Sequence, residues 1–260
     1  MTNTNPIGFF DSGVGGISIW NEVNTLLPNE SSIYLADSAN APYGPKGKDK
    51  IIALSIKNTE LLLEHHCKLI VVACNTATTN AIDHLRATYD VPFIGIEPAI
   101  KPAALQTVTN AVGILATEGT LSSELFYKTS ALFASDVSVV EQIGTGLVEL
   151  IEAGKIDTEE MEMLLKKYTA PMIKANIDHL VLGCSHYPYL IPKLRALLPE
   201  SVKIIDSGEA VARQTKAILT KNGLLNTEEE KAEHSFYTNT NAHLLQGFLN
   251  DDHIAAKLDF

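Results

Sequence analysis

The segment Leu69 to Asn80, LIVVACNTATTN, limits what this chain can fold into more than any other. An apolar, β-branched run stops abruptly at Cys74, and small polar residues follow at once. Such a run predicts a strand buried on both faces, as in a parallel sheet covered by helices. Asn75, Thr76, Thr78 and Thr79 then offer a helix N-cap. Cys74 would stand where a strand ends and a helix begins. Ligands of open α/β sheets collect at that end, anions are favoured there, and a thiol can be pushed toward thiolate.

The segment has an echo. Leu180 to Pro188, LVLGCSHYP, is again an apolar strand running into a cysteine, Cys184, followed by Ser185 and His186. Two further pairs of apolar segments recur in the same order at similar spacing: Ile7 to Ser12 with Val112 to Thr117, and Val91 to Ile94 with Val202 to Ile205. Strands resemble one another, so each match is weak alone. Three in order at nearly constant offset predict two similar α/β halves.

The rest of the chain alternates in the same way. Strands are predicted at Ile7–Asp11, Ile33–Asp37, Phe93–Ile96, Val112–Ala116, Val137–Glu141, Leu180–Gly183, Ile204–Asp206 and His234–Tyr237, with helices between them and a last helix near Leu244. Asp157 with Glu160 predicts a capping box, and Ser207 a cap for the helix that follows it. This βα alternation implies mainly parallel sheets. Ser38 to Lys48, rich in Pro and Gly, predicts a loop whose Tyr43-Gly44 could close over a ligand.

Composition narrows the function. A formal net charge of −11 argues against a nucleic-acid or anionic-membrane partner, since phosphate backbones demand surplus Lys and Arg. The start, MTNTNPIGFF, reads as no signal peptide, and no apolar run reaches the length of a membrane span. Three cysteines without a C-x-x-C pair point to free thiols in a reducing cytoplasm, and no metal site is expected. Cys67 is read as structural.

The turn Asp11-Ser12-Gly13-Val14-Gly15-Gly16 after the first strand invites a dinucleotide-binding reading. Ser18 stands where the third glycine belongs, however, and Asp11 would face the pyrophosphate. Asp11 and Ser12 fit better as groups sharing the strand-end cleft with Cys74. If the halves face each other, Cys74 and Cys184 flank a small ligand from opposite sides. One thiolate and one thiol make a base and an acid of matched proton affinity. That pair can take a proton from one face of a carbon and return one to the other. Asn75, Thr76, Ser12 and Ser185 are suitable donors to a substrate carboxylate, Asp11 could assist Cys74, and His186 could assist Cys184. No lysine sits in a phosphate-cradling loop of the pyridoxal kind. A thiol hydrolase using Cys184 and His186 would leave Cys74 idle, and a nucleotide-binding module would leave both idle.

Asp11 to Gly16, Pro42-Tyr43-Gly44, Ala73-Cys74-Asn75-Thr76-Ala77-Thr78 and Gly183-Cys184-Ser185-His186-Tyr187-Pro188 together resemble the bacterial glutamate racemases of the cofactor-independent aspartate/glutamate racemase superfamily. The same segments disfavour an aspartate racemase. The resemblance implies two similar α/β domains related by a pseudo-two-fold, with the active site between them. Residues 1–97 with 208–260 would form the first, and residues 98–207 the second. It implies that Cys74 acts on the D-enantiomer and Cys184 on the L-enantiomer, with Asp11 and His186 as their helpers. Ser12, Tyr43, Gly44, Asn75, Thr76 and Ser185 would bind substrate, and the Thr117-Glu118-Gly119-Thr120 turn adds Thr117 and Thr120 as binding candidates. Glu149 is similar to an assisting glutamate of the family, with Glu152 close by in sequence. No cofactor or metal is implied, the partner is L- or D-glutamate, a homodimer is expected, and the product would serve peptidoglycan synthesis. Ser185 replaces the family's usual threonine, keeping the hydroxyl and losing a methyl. Without a long N-terminal extension, no dependence on a cell-wall precursor as activator is expected.

Overall fold

Strands with no exposed face set the architecture. The structure, a computed structural model, describes residues 3–134, 136–228 and 231–260; Met1 and Thr2, where the reading for a leader began, lie outside them. β1 (Ile7–Asp11) is buried along its whole length. It is followed by α1 (Ile17–Leu26), β2 (Ser32–Ala36), α2 (Lys48–Glu64) and β3 (Leu69–Val72), the last also fully buried. α3 (Asn75–Thr88) and β4 (Phe93–Gly95) complete the run, and the strand order is β2-β1-β3-β4.

The sequence of elements then repeats. α4 (Ile100–Gln106) leads to β5 (Ala111–Ala116), α5 (Glu118–Leu121), α6 (Glu124–Phe133) and β6 (Ser138–Ile143). α7 (Leu147–Glu152), α8 (Glu159–Lys174), β7 (His179–Gly183), α9 (Ile191–Leu197) and β8 (Lys203–Ile205) follow. The second sheet has the order β6-β5-β7-β8, which matches β2-β1-β3-β4 strand for strand. β5 and β7 are its buried centre, while β6 alternates exposed and half-buried positions as an edge strand does. The chain then returns to the first sheet. α10 (Gly208–Lys221) packs along α1, and β9 (His234–Thr238), α11 (Ala242–Gln246) and β10 (Ala255–Lys257) extend that sheet beyond β2. Every strand pair described is parallel. The fold is therefore α/β with two parallel sheets, as the alternation predicted.

Three local expectations shift. α3 is capped by Cys74 itself, whose sulfur accepts the Ala77 N–H, not by the threonines inside the helix. Thr158 rather than Asp157 caps α8, and Asp157 pairs with Lys193 across to α9. Ser207 precedes α10 without capping it, because its hydroxyl donates to the Glu97 carbonyl. That last bond ties together the two places where the chain passes between sheets. β10 was not predicted: three residues, Ala-Ala-Lys, carry no alternating pattern.

One hydrophobic cluster runs through both sheets. Phe9, Ile17 and Trp20 from the first share it with Leu147, Ile151, Leu182 and Tyr187 from the second. Burying a side chain of that size contributes about 1.5–3 kcal/mol. The halves are therefore held face to face by packing, and the carboxyl ends of β1, β3, β5 and β7 supply residues to one cleft.

Candidate active site

Each central strand ends in a residue with chemistry to offer. β1 closes on Asp11, which is fully buried and accepts the Gly16 N–H at 2.8 Å. β3 runs into Cys74 and β7 into Cys184. Both thiols are buried, and both line one small cavity with Ser12, Tyr43, Gly44, Asn75, Thr76, Thr117, Ser185 and His186. The cysteines that stand 110 residues apart in sequence thus share a single small space.

Their surroundings differ in charge. The Cys74 thiol lies 3.7 Å from the Ser12 hydroxyl. Burial pushes it well above its ordinary range, and the Asp11 carboxyl adds to the effect. Asp11 is itself raised above the usual carboxylate range by burial, against the opposing charge of His186. Cys184 instead has His186 Nδ1 at 3.8 Å. Burial alone would discharge that imidazole. Its hydrogen bonds to Cys184 and Glu152, with the charges on Cys184 and Asp11, outweigh burial and raise it well above the ordinary histidine range. One sulfur therefore faces a carboxyl, and the other faces an imidazolium.

His186 is held from the far side by Glu152, not Glu149. Nε2 lies 2.7 Å from Glu152 Oε1, which also accepts the Val14 N–H at 2.7 Å, while Oε2 accepts the Ser38 hydroxyl at 3.0 Å. Glu149, one turn earlier on α7, is exposed and lines a neighbouring hollow that shares Pro42, Gly44, Thr117 and Val148 with the cavity. The alternation of the two glutamates could not be settled by sequence, because both belong to the same short helix.

The glycine turn has a purpose that the dinucleotide pattern obscures. A Cβ on Gly13 would meet Glu152 Oε1 at 1.9 Å, and one on Gly15 would meet His186 Nδ1 at 2.4 Å. These glycines leave room for side chains of the second half to dock on the β1–α1 turn. No phosphate cradle is needed to explain them, and Asp11 occupies the turn's own N–H at Gly16.

Asn75 carries a different signal. Its side-chain oxygen and nitrogen are both buried, and neither has a hydrogen-bond partner. A buried amide left unpaired costs about 1–3 kcal/mol, so this side chain stands out among the cavity residues. The remaining candidates divide. The Thr76 hydroxyl lies 2.7 Å from Thr117 and 3.3 Å from Thr120, making a cluster of three hydroxyls that joins the two halves. Thr117 lines the cavity, whereas Thr120 lies behind it. Ser185 donates to Asp11 at 3.2 Å, again across the halves. Tyr43 lines the cavity, but its hydroxyl is committed to Asp37 at 2.6 Å and accepts from Asn58. The tyrosine is thus an anchor for the Pro42-Tyr43-Gly44 loop, not a free hydroxyl over the site.

Sequence reasoning missed Ser38 and the Val14 N–H as partners of Glu152. It also missed the cross-half bond from the Ser18 hydroxyl to the Ser185 carbonyl, at 3.0 Å. Only the oddity of Ser18 in a glycine pattern pointed toward it. Among the described residues there is no group of three or more metal-ligating side chains, and no helix long and apolar enough to cross a membrane.

A two-sheet α/β fold with paired thiols on one cavity defines a class, and comparison with known proteins agrees. The family described as Asp/Glu/Hydantoin racemase matches residues 17–215. The chain belongs to that family. The glutamate racemase of Herpetosiphon aurantiacus is 47% identical over 233 residues, which cover 90% of this chain and 92% of the relative. The glutamate racemase of Francisella tularensis, solved in complex with D-glutamate, superposes with a TM-score of 0.85 at 29% identity, covering 99% of this chain and 98% of that one. That of Escherichia coli, solved with L-glutamate and the activator UDP-MurNAc-ala, gives 0.85 at 33% identity, covering 98% of each. Within the family this chain stands with the glutamate racemases, and it is an isomerase acting on an amino acid.

Proposed function

We propose that the enzyme interconverts L- and D-glutamate without a cofactor, by removing and returning a proton at Cα through Cys184 and Cys74. The observation that carries this reading is that both thiols line one cavity beside the unpartnered amide of Asn75. The relatives solved with D-glutamate and with L-glutamate support the substrate.

In the L to D direction the Cys184 thiolate, stabilised by the His186 imidazolium, takes the Cα proton. The electron pair left on Cα delocalises into the carboxylate. Asn75, Thr76, Ser12 and Ser185 donate to that carboxylate, which is where charge develops. The Cys74 thiol, kept protonated by burial and by Asp11, delivers its proton to the opposite face. The enzyme is then left with a Cys184 thiol and a Cys74 thiolate, poised for D to L. Resetting it for L to D requires Cys184 to give up one proton and Cys74 to gain one. Excluding water from the buried cavity strengthens the thiolate as a base.

The division into residues 1–97 with 208–260, and 98–207, remains our proposal for the two rigid units, as does a homodimer. We also propose that the D-glutamate formed serves peptidoglycan synthesis, which complementation of a D-glutamate-requiring bacterium would check. The decisive test of the chemistry is incubation with L-glutamate in heavy water. D-Glutamate bearing deuterium at Cα is expected, and Cys74→Ala and Cys184→Ala should each abolish its formation. A D-product that retained only protium would overturn the two-thiol reading.

A further inference from the structure

Cys184, Ser185 and His186 sit in a short stretch between the end of β7 and the turn that begins at Tyr187, outside regular secondary structure. Cys184 and His186 satisfy their carbonyls within this stretch, accepting from Tyr187 and Tyr189. The Ser185 carbonyl is held from the other half of the molecule, by the hydroxyl of Ser18 at 3.0 Å. That hydroxyl shares its proton with the Gly15 carbonyl at 2.8 Å. Gly15 is also the residue against which the His186 ring rests. Ser18 is half-buried in the first turn of α1 and lines no part of the substrate cavity.

We infer that Ser18 is a positioning residue for the Cys184 side of the reaction: it pins the backbone between Cys184 and His186 onto the glycine turn. It acts directly on the Cys184 side, and the Ser185 hydroxyl's bond to Asp11 is a weaker, indirect link from this stretch to the Cys74 side. Cys74 is fixed separately, as the cap of α3, through its own contacts with Ala77 and Ser12. Loss of the Ser18 hydroxyl therefore frees the Ser185 peptide to drift while Cys74 stays in place. Proton transfer is steep in distance, and a misplacement on the order of 1 Å can cost a hundredfold.

This inference rests on the two-thiol reading, and the two can fail separately. Racemisation has an equilibrium constant of one, so kcat/KM must fall equally in both directions whatever the cause. The informative quantity is which proton transfer limits the rate. Ser18→Ala should lower kcat/KM about tenfold, the size of a lost hydrogen bond of about 1.4 kcal/mol. In the L to D direction the Cys184 step removes the substrate proton. The isotope effect with Cα-deuterated L-glutamate should therefore rise toward its intrinsic value. In the D to L direction Cys74 removes the proton, and Cys184 only returns one. The isotope effect with Cα-deuterated D-glutamate should therefore fall toward one.

A merely structural role would weaken the whole site and move both isotope effects together or not at all. Either outcome overturns the inference. Ser18→Thr, which restores the hydroxyl, should return both isotope effects to those of the unaltered enzyme; failure to do so with an unchanged melting temperature also counts against it. If the unaltered enzyme exchanged no Cα hydrogen with heavy water, the two-thiol reading itself would fall. If it did exchange and Ser18→Ala left both isotope effects unchanged, only the role of Ser18 would be lost.

Discussion

Gly13→Ala is the sharpest probe of how the two halves are joined at the site. Its added Cβ would lie 1.9 Å from Glu152 Oε1, some 1.1 Å inside the 3.0 Å that real Cβ atoms keep. A carboxylate at the end of a glutamate would normally swing away at little cost. Here it cannot move freely, because Val14 N–H, the Ser38 hydroxyl and His186 all hold it. Withdrawing by 1.1 Å turns the 2.7 Å contact with His186 into one near 3.8 Å, beyond hydrogen-bond range. Hydrogen bonds to charged groups are worth about 1.5–3 kcal/mol, so the imidazolium loses that much support. At 1.4 kcal/mol per decade, kcat should fall between about tenfold and a hundredfold.

The pH profile gives the sign. Glu152 raises His186, so its withdrawal lowers the pH at which the imidazolium loses its proton. Activity that depends on the imidazolium is present below that pH and lost above it. The alkaline limb of kcat/KM should therefore move to lower pH in the variant. Polarimetry across pH, with the melting temperature as a control for folding, measures both. Full activity with an unmoved alkaline limb would show that the Glu152–His186 contact does not matter, and the reasoning would fail with it.

Other outcomes follow from individual residues. Asn75→Ala should raise KM for glutamate about tenfold, while leaving the melting temperature level or higher, because the lost amide has no partner in the free protein; a lower melting temperature would mean the amide is bonded after all. Glu149→Gln should leave kcat within about twofold, and a loss comparable to Glu152→Gln would contradict its exposed place in the neighbouring hollow. His234, half-buried against Trp20, is lowered to about 4 by desolvation and by the charge of His253. The unfolded chain therefore binds its proton below pH 6.5 while the folded one does not, and stability should decline from pH 6.5 down toward 4. His234→Gln should flatten that part of the denaturation curve against pH.

Much of the fold was legible because central parallel strands have no exposed face. LIVV and HLVLG announce themselves as buried, and their abrupt polar ends locate the cleft. The edges were harder. β6 is half-exposed and begins one residue later than its β-branched run suggests, and β10 has no pattern at all. The residues brought to the cavity from strand ends, Ser12, Cys74, Asn75, Cys184 and His186, and the buried Asp11 behind them, could be named from position alone. The contacts between halves could not. Glu152 and Ser38 are 114 residues apart, and Ser18 and Ser185 are 167 apart. Nothing local in sequence fixes how two halves dock, so neither the choice of Glu152 over Glu149 nor the commitment of Tyr43 to Asp37 could be read in advance.

The matching strand orders raise a question of their own: why, in the proposed mechanism, a reaction that treats both faces of a carbon alike would be served by two unlike thiols. A symmetric pair, each beside a carboxyl, would hold both protons, and neither sulfur could start the reaction. A pair with an imidazolium on each side would lose both protons, and neither could finish it. Asp11 adds to the burial that raises Cys74, whereas Cys184 lies against His186 instead. Asp11 and His186 also act on each other, since each feels the other's charge. In the proposed mechanism, a proton delivered by Cys74 leaves a thiolate beside Asp11, where burial and that carboxyl disfavour it. The enzyme should therefore rest in the form ready for L-glutamate. Rapid mixing of the enzyme with either enantiomer tests this: in a single turnover L-glutamate should react without a lag, whereas D-glutamate should wait for the protons to redistribute. Equal onset for both enantiomers would mean that the charges facing the two thiols do not set the resting protonation.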